Sequence, residues 1–334
     1  MAHTHEFFTR VMSVLVGDEN SSIEIKDVPR KGTDGGVVNL KINAKIIKDA
    51  KTGEDDFCEL EIYNLSEPTR ELFNTQYTNI VVSAGYGDRV GAVFIGNIQS
   101  STHTFEGQDW VTRIVASDGG RALDQALINR TYKKGTTLGD MMQDFQNITG
   151  LPELSMIGLD VNKVLERGKT VNGMFRETMT ELGASNEFDW SVQDGSIVAV
   201  KTSESRNAQR IVVSAQTGMI GSPEWINSGT SKSKTQAEDG TKLKVVSLCQ
   251  ASIKPFDKIF VKSVALRGRI SGISISIDPT ELVGEFKVLK VTHELDSFDG
   301  DFKTTLECQL TGSEFIAPED FSIDKLIQNT ERDS

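Results

Sequence analysis

The chain has 334 residues, of which 37% are hydrophobic, and a formal net charge of −12 at pH 7. This acidic balance argues against a general nucleic-acid binder, because contacts with phosphates need clustered Lys and Arg. The first residues lack the apolar segment of a signal peptide, and no run approaches the ~18–20 apolar residues of a membrane span. We therefore expect a protein that is made in a cytoplasm and does not insert into a membrane.

Residues 1–116 are predicted to be mainly β. Within FCELEIYNL (57–65), apolar and acidic side chains alternate with the period of two of a half-buried strand. Ser66 and Pro68 predict the N-cap and the first turn of a short helix that ends near Phe73. The other strands predicted in this part cover residues 11–16, 37–47, 80–84, 90–98 and 110–116.

Residues 117–205 change to a helical period. One helix is predicted over 136–148, with an apolar stripe along one face, and another over 171–182, ended by Gly183. A hairpin follows them, since an Asp-Gly pair at 194–195 between two β-rich runs is a strong hairpin signal. We interpret this part as a small α+β domain.

Residues 206–318 return to a β pattern, and residues 319–334 are interpreted as a polar tail. The Ser-, Thr- and Lys-rich segment 227–239 is interpreted as a loop or mobile arm. The predicted fold class is therefore mainly β with an α+β insertion, in which two barrel-like β domains flank the α+β domain. The strands predicted after residue 206 cover 210–214, 243–251, 258–264, 268–277, 284–295 and 302–310.

No constellation of residues points to catalysis or to a cofactor. The run GYGDRVG (85–91) departs from the dinucleotide-binding spacing and precedes a strand, which favours a hairpin turn. The turn DSFDGD (296–301) groups carboxylates that could hold Ca²⁺, but it lacks the downstream Glu of an EF-hand, which favours a second hairpin turn. Cys58, Cys249 and Cys308 have no C-x-x-C spacing and are expected to be buried in strands. No catalytic, cofactor-binding or metal-binding residue is assigned.

A set of phrases stands in a fixed order along the chain: IYNLSEPTRELF (62–73), VVSAGYGDRVGAVFIGNI (81–98), WVTRIVASDGGRAL (110–123), TYKKGTTLGDMM (131–142), TGMIGSPEW (217–225), VVSLCQASIKPFDKIFV (245–261) and VLKVTHELDSFDGDFKTTLECQL (288–310). In this order they resemble phage baseplate hub proteins, the group that shares the trimeric hub fold of long-tailed phages. The resemblance extends over residues 6–315.

The resemblance implies an architecture and a role. Two tail-tube-like β-barrels, here residues 1–116 and 206–318, would occur in each of three chains, so that six barrels match a sixfold tail tube to a threefold spike. The α+β domain (117–205) would lie outside this ring. The protein would be a non-enzymatic virion component, assembled in the host cytoplasm. Its partners would be two further copies of the chain, the central spike, the tail tube or its initiator, the tape-measure protein and other baseplate proteins.

DNA would then pass through the ring without specific binding. A net-negative lumen suits this role, because it repels phosphates. Two other functions stay open at this point. One is the hub of a phage-like injection machine without a genome. The other is cell-wall binding or hydrolysis, for which Glu181, Glu187 and Asp189 are the local carboxylates of the α+β domain. A contractile tail is favoured, although the sequence does not distinguish it from a non-contractile one.

The expected interface residues lie in two segments. Tyr63 and Asn64 lie in the strand over 57–65, and Ile220, Pro223 and Trp225 lie in the loop over 217–225. Trp225 is interpreted as an anchor, since buried Trp often dominates interfaces, and an ordinary core tryptophan is the alternative.

One position departs from the family pattern. The segment IKPFD (253–257) has Phe256 where the family often has glycine after the proline, which leaves the type of turn open.

Overall fold

The computed structural model of the chain describes residues 9–18, 21–26, 30–31, 37–38, 40–50, 56–75, 78–119, 123, 126–206, 211–226, 242–263, 266–270, 273–277 and 282–310. The predicted loop over 227–239 and the predicted tail over 319–334 lie outside these residues.

The elements fall into three groups along the chain. The first β unit contains β1 (Arg10–Gly17), β2 (Ser22–Lys26), β3 (Arg30–Lys31), β4 (Val37–Val38), β5 (Ile42–Asp49), β6 (Phe57–Tyr63), α1 (Glu67–Thr75), β7 (Asn79–Tyr86), β8 (Arg89–Glu106) and β9 (Asp109–Ser117). The α+β unit contains β10 (Leu127–Tyr132), α2 (Leu138–Thr149), β11 (Glu153–Ile157), β12 (Lys169–Met174), α3 (Phe175–Asn186), β13 (Phe188–Gln193) and β14 (Ser196–Lys201). The second β unit contains β15 (Ile211–Ser214), a 3₁₀ turn (Ala215–Thr217), β16 (Glu224–Ile226), β17 (Lys242–Leu248), β18 (Lys258–Ser263), β19 (Leu266–Ile270), β20 (Ile273–Ile277), β21 (Leu282–Asp296) and β22 (Phe302–Leu310).

A single sheet runs through both β units. Its strands follow the order β2-β1-β7-β8-β9-β6-β5-β21-β22-β17-β16-β19-β20, with β18 paired to β21 and β15 paired to β18. β21 joins the units, because its first part pairs with β18 and its second part, Lys290 to Asp296, pairs antiparallel with β5. The chain is therefore mainly β with a small α+β unit, as predicted. Among the described strands no pairing closes either unit into a barrel, and the domain boundaries and the barrels stay predictions.

The core of the first β unit includes residues from the second. The apolar positions of β6 are buried on one face, as the alternation predicts. Leu295 and Phe302, at the facing ends of β21 and β22, belong to the same buried cluster. The hydroxyl of Tyr86 donates to the carbonyl oxygen of Phe302 at 2.9 Å, and the two rings meet edge to face with centroids 5.3 Å apart. Such a ring pair contributes about 0.5–1.5 kcal/mol beyond its buried area. The first β unit therefore depends on residues that come late in the chain.

The α+β unit has a core of its own. β11 pairs parallel with β14, which pairs antiparallel with β13, and α3 packs against β12 and β13. α2 begins with a capping box, in which the Thr137 hydroxyl accepts from the N–H of Asp140 and the Asp140 carboxylate accepts from the N–H of Thr137. Four aromatic rings pack edge to face in a row through this core: Tyr132, Phe145, Phe175 and Trp190.

The helix predicted over 171–182 begins and ends later than predicted. Residues 171–174 belong to β12, because they pair with β10. A local sequence pattern does not reveal this pairing, since β10 lies far away along the sequence. Gly183 does not end α3. A Cβ at this position would lie 2.6 Å from the carbonyl oxygen of Phe188, so the glycine allows the close approach of β13. The helix ends instead at Asn186, and its C-cap, Glu187, has a left-handed backbone with φ of 58°.

Several strand bounds also differ from prediction. The strand predicted over 37–47 is divided into β4 and β5, which lie in different sheets, and that over 268–277 is divided into the hairpin β19–β20. β10 and β11 were not predicted. β8 continues past residue 98 to Glu106. Hydrogen bonds to β9 extend it there, although its last residues have no buried face. β8 and β9 therefore form a long hairpin around the turn predicted at 106–109.

Candidate assembly interface

Asn64 fastens the end of β6 to the start of β9. It has a left-handed backbone with φ of 57°, which Asn tolerates better than most residues. Its side-chain Nδ2 donates to Asp109 Oδ1 at 2.7 Å, and its Oδ1 accepts from the N–H of Trp110 at 3.0 Å. Its own N–H donates to the carbonyl oxygen of Trp110 at 2.7 Å. The polar groups of Asn64 are therefore engaged within the chain, and the residue positions its neighbours.

Tyr63 lies beside Asn64 in a network of charges. The ammonium group of Lys41 is 5.2 Å from the centroid of its ring, and its hydroxyl donates to Glu61 Oε2 at 3.3 Å. Glu61 Oε1 accepts from Nε of Arg113 at 2.9 Å. Partial burial and the nearby Glu61 carboxylate raise the pKa of Tyr63. Tyr63 is thus a half-buried ring that the surrounding charges hold in place.

An exposed aromatic pair lies next to these residues, at the end of the β8–β9 hairpin. Phe105 and Trp110, called the aromatic tip below, are partners across the hairpin, with ring centroids 5.4 Å apart. Phe105 is 61% exposed and Trp110 is 39% exposed. The guanidinium of Arg70, on α1, lies 4.1 Å from the centroid of the Trp110 ring, a distance typical of a cation–π contact. The hairpin therefore presents a preformed apolar surface to the solvent.

The hairpin is stiffened just below the aromatic tip. Arg113 donates from Nη1 and Nη2 to the two carboxylate oxygens of Glu106, at 2.6 and 2.9 Å. These hydrogen bonds hold the pKa of Glu106 below its usual range. The aromatic tip was not predicted from the sequence. A usable signal was the pair of aromatic residues placed symmetrically about the turn EGQD (106–109), since such residues face each other in a hairpin.

The second predicted segment lies elsewhere. Ile220 is 44% exposed, and its N–H donates to the carbonyl oxygen of Val246 at 2.7 Å, whereas Pro223 is buried. The backbone of Trp225, in β16, pairs with Leu243 and Gly268, and its side chain lies outside the described part of the structure. β5, β21 and β22 lie between β6 and β17 in the sheet, so the strands beside the two predicted segments are not neighbours.

The acidic turn at 296–301 binds an arginine. Nη1 of Arg10 lies 3.0, 3.1 and 2.8 Å from the carbonyl oxygens of Asp296, Phe298 and Gly300, to which it donates. The guanidinium thus stands where several oxygens converge, and the turn joins β21 to β22 as a hairpin, as expected. Within the described residues no group of three or more His, Cys, Asp or Glu side chains is arranged to hold a metal ion.

The other motifs have structural places. The run GYGDRVG forms the tight β7–β8 turn, with Gly87 at φ of 55°. The three cysteines are buried, as predicted, and free. Cys58 and Cys308 lie in strands, whereas Cys249 directly follows β17. Burial raises the pKa of Cys58 and Cys249 to about 12. Of the carboxylates considered for hydrolysis, Glu187 is the C-cap of α3 and Asp189 lies 3.6 Å from Nζ of Lys287. None of the helices in the described ranges is long and apolar enough to cross a membrane.

No family model matches the sequence, and no curated protein matches it. Solved structures match its fold. A tail protein from Neisseria meningitidis MC58 aligns with 90% of this chain over 97% of its own length, with a TM-score of 0.56 and 12% identity. The 43 kDa tail protein of prophage MuSo2 from Shewanella oneidensis aligns with 91% of this chain over 98% of its own, with a TM-score of 0.55 and 9% identity. The chain has the fold of phage tail proteins.

Another solved structure also shares this fold. A chain of the lidded Francisella PdpA–VgrG complex aligns with 94% of this chain over 54% of its own length, with a TM-score of 0.50 and 10% identity. The resemblance seen in the sequence is therefore confirmed at the level of the fold. Identities this low carry the tail-protein fold but no residue roles.

Proposed function

We propose that the chain is a structural hub of a phage tail baseplate, in which three copies form a ring that joins the sixfold tail tube to the threefold spike and lines the DNA conduit. The observation that carries the proposal is the tail-protein fold, shared over almost the whole of this chain and of two tail proteins. In this proposal the protein is part of the virion, and it assembles in the cytoplasm of the host.

The continuous sheet supports a ring. Because β5 and β21 are hydrogen-bonded, the two β units of one chain are fixed side by side. Three chains then offer six β units, the number that a sixfold tube needs. Among the described strands, the sheet ends at β2, β20 and β15, and exposed strand edges are a liability that proteins cover or pair. Closure of a ring through these edges would remove the liability.

The aromatic tip is the contact surface of this proposal. Exposed, preformed aromatic pairs are typical of protein interfaces, where buried aromatic residues contribute much of the binding energy. Asn64 supports the tip from behind and acts through Trp110 rather than by direct contact, and Tyr63 is its neighbour on β6. Ile220 is retained as a separate contact residue because it is exposed.

The experiment that tests the function is a molar-mass measurement by light scattering, on the chain alone and with the spike protein encoded beside it. A mass three times that of one 36.7 kDa chain, alone or within a complex with the spike, is expected. A monomer in both samples, with no bound spike, would contradict the hub. Clearing of peptidoglycan by the purified protein in a zymogram would instead favour the hydrolytic alternative.

A further inference from the structure

The turn between β13 and β14 lies between the two β units. The carboxylate of Asp194, in this turn, contacts two ammonium groups. Its Oδ1 lies 2.7 Å from Nζ of Lys48 on β5, and its Oδ2 contacts Nζ of Lys254, in the loop before β18. The Lys48 side chain is only 2% exposed. One carboxylate therefore connects the α+β unit to the first β unit and to the second.

The first β unit also holds the backbone of this turn. The N–H of Gly195 donates to the two carboxylate oxygens of Asp118, at 2.9 and 3.2 Å. Asp118 is buried and directly follows β9. Asp194 and Gly195 have φ of 53° and 80°, which an Asp-Gly hairpin turn adopts readily. The turn thus offers both a carboxylate and an N–H group to its neighbours without unusual strain.

A second cross-unit contact lies nearby. Nζ of Lys287, on β21, lies 3.6 Å from Asp189 on β13 and donates to the carbonyl oxygen of Thr202 at 3.2 Å. The Lys287 side chain is buried. Lys48 and Lys287 are therefore both buried. Each lies on a strand of a β unit and contacts a carboxylate of the α+β unit.

A thin apolar layer accompanies these polar contacts. One small cluster of buried side chains draws on all three units: Ala50, Val198, Val200 and Phe256. The type of turn at IKPFD (253–257) was left open by the sequence. Phe256 adopts a left-handed backbone there, with φ of 68°, and its ring is buried in this layer. Its N–H donates to the carbonyl oxygen of Val288, and its own carbonyl oxygen accepts from the N–H of Arg206, both at 2.8 Å.

The contacts between the units described above are mainly polar, with one small apolar cluster beside them. Intact buried ion pairs add little net stability, since removing both charges from water offsets their attraction, but loss of one partner leaves an uncompensated buried charge. Interfaces between domains with small apolar areas permit relative motion. Among the described residues, the buried core of the α+β unit contains no residue of either β unit, and the main cores of the β units contain no residue of the α+β unit. Breaking the polar contacts would therefore separate the units before it unfolded them.

We propose that Asp194 is the central residue of a latch that holds the α+β unit against both β units, and that opening the latch frees the α+β unit to change position while all three cores stay folded. The latch is a property of the single chain, so it stands or falls independently of the proposed ring.

The test compares Asp194→Asn with Asp160→Asn, which changes an exposed aspartate of the same unit. The full-length proteins are studied by scanning calorimetry and by limited proteolysis, with far-ultraviolet circular dichroism to confirm folding. The wild type and Asp160→Asn are expected to unfold in one transition. Asp194→Asn is expected to show a separate transition for the α+β unit and cleavage between the units that is faster by on the order of tenfold or more.

A second variant keeps the test decisive if Asp194→Asn fails to fold. Lys254→Met removes the contact of Asp194 with the second β unit and leaves the pair of Lys48 with Asp194 intact, at a side chain that is partly exposed. It is expected to speed cleavage between the α+β unit and the second β unit but not between the α+β unit and the first. Behaviour like that of Asp160→Asn in both assays would overturn the latch. A single transition moved to lower temperature, with unchanged cleavage, would overturn it as well.

Discussion

Replacing Phe256 by alanine or by glycine separates two contributions of that residue to the free energy of unfolding: the strain of its backbone and the burial of its ring. A left-handed backbone costs a residue other than glycine about 1–2 kcal/mol, and Phe256 has φ of 68°. Alanine at this position keeps the strain and removes a fully buried ring, at a cost of about 3–5 kcal/mol. Glycine removes the same ring but relieves the strain. Its greater freedom in the unfolded chain lowers stability by about 0.5–1 kcal/mol relative to alanine. We therefore expect Phe256→Gly to be more stable than Phe256→Ala by about 1 kcal/mol.

Urea unfolding measures this difference, because the free energy of unfolding falls linearly with urea concentration. Phe286 offers a matched control, since it is also fully buried but lies within β21 and has no positive φ. There alanine should be more stable than glycine by about 0.5–1 kcal/mol. The order of the two variants is therefore expected to reverse between the two positions. The same order at both would refute the argument that backbone strain is stored at Phe256.

Three further predictions concern other parts of the molecule. Alanine at both Phe105 and Trp110 should change the free energy of unfolding by less than about 1 kcal/mol, because both side chains are exposed, yet reduce assembly in light scattering. Alanine at the exposed Leu127 is the control, and equal loss of assembly in both proteins would contradict the aromatic tip. Burial raises the pKa of Asp118 to about 6, above its unfolded value. Protonation of Asp118 therefore stabilises the folded state at low pH, and this stabilisation is lost as the pH rises through 6. From pH 5 to pH 7 the wild type should lose about 1 kcal/mol relative to Asp118→Asn in urea unfolding, and parallel profiles would contradict this. Arg10→Met should lower stability by about 1–3 kcal/mol, since three carbonyl oxygens of the β21–β22 turn lose their donor, and an unchanged midpoint would rule out that role.

Local patterns predicted the elements whose causes are local. The alternation in 57–65 gave the buried face of β6, and the Asp-Gly pair gave the β13–β14 turn, because each depends on residues adjacent in the sequence. The strand over 171–174 was taken for helix because its partner β10 lies about 40 residues earlier, beyond the reach of a periodicity argument. Glycine was misread at 183 for a similar reason, since its role there is a close approach by β13.

The assembly surface and the latch were hidden from the sequence for different reasons. The aromatic tip lies on a part of β8 that faces solvent on both sides, so no alternation distinguishes it from a loop. The latch joins Asp194 to Lys48 and Lys254, which are separated from it by 146 and 60 residues, so nothing local marks these charges as partners. The interface roles of Tyr63, Asn64, Ile220, Pro223 and Trp225 stay predictions.

The pairing of β5 with β21 has a consequence for the time at which the chain can fold. The outer edge of β5 meets residues that are synthesised roughly 240 positions later, which takes about 10–50 s at 5–20 residues per second. Until then β5 exposes unpaired N–H and C=O groups, and the first core lacks Leu295 and Phe302. During synthesis the first β unit therefore has an unpaired strand edge and an incomplete core. The yield of folded protein in the cell should depend on chaperones that protect such edges.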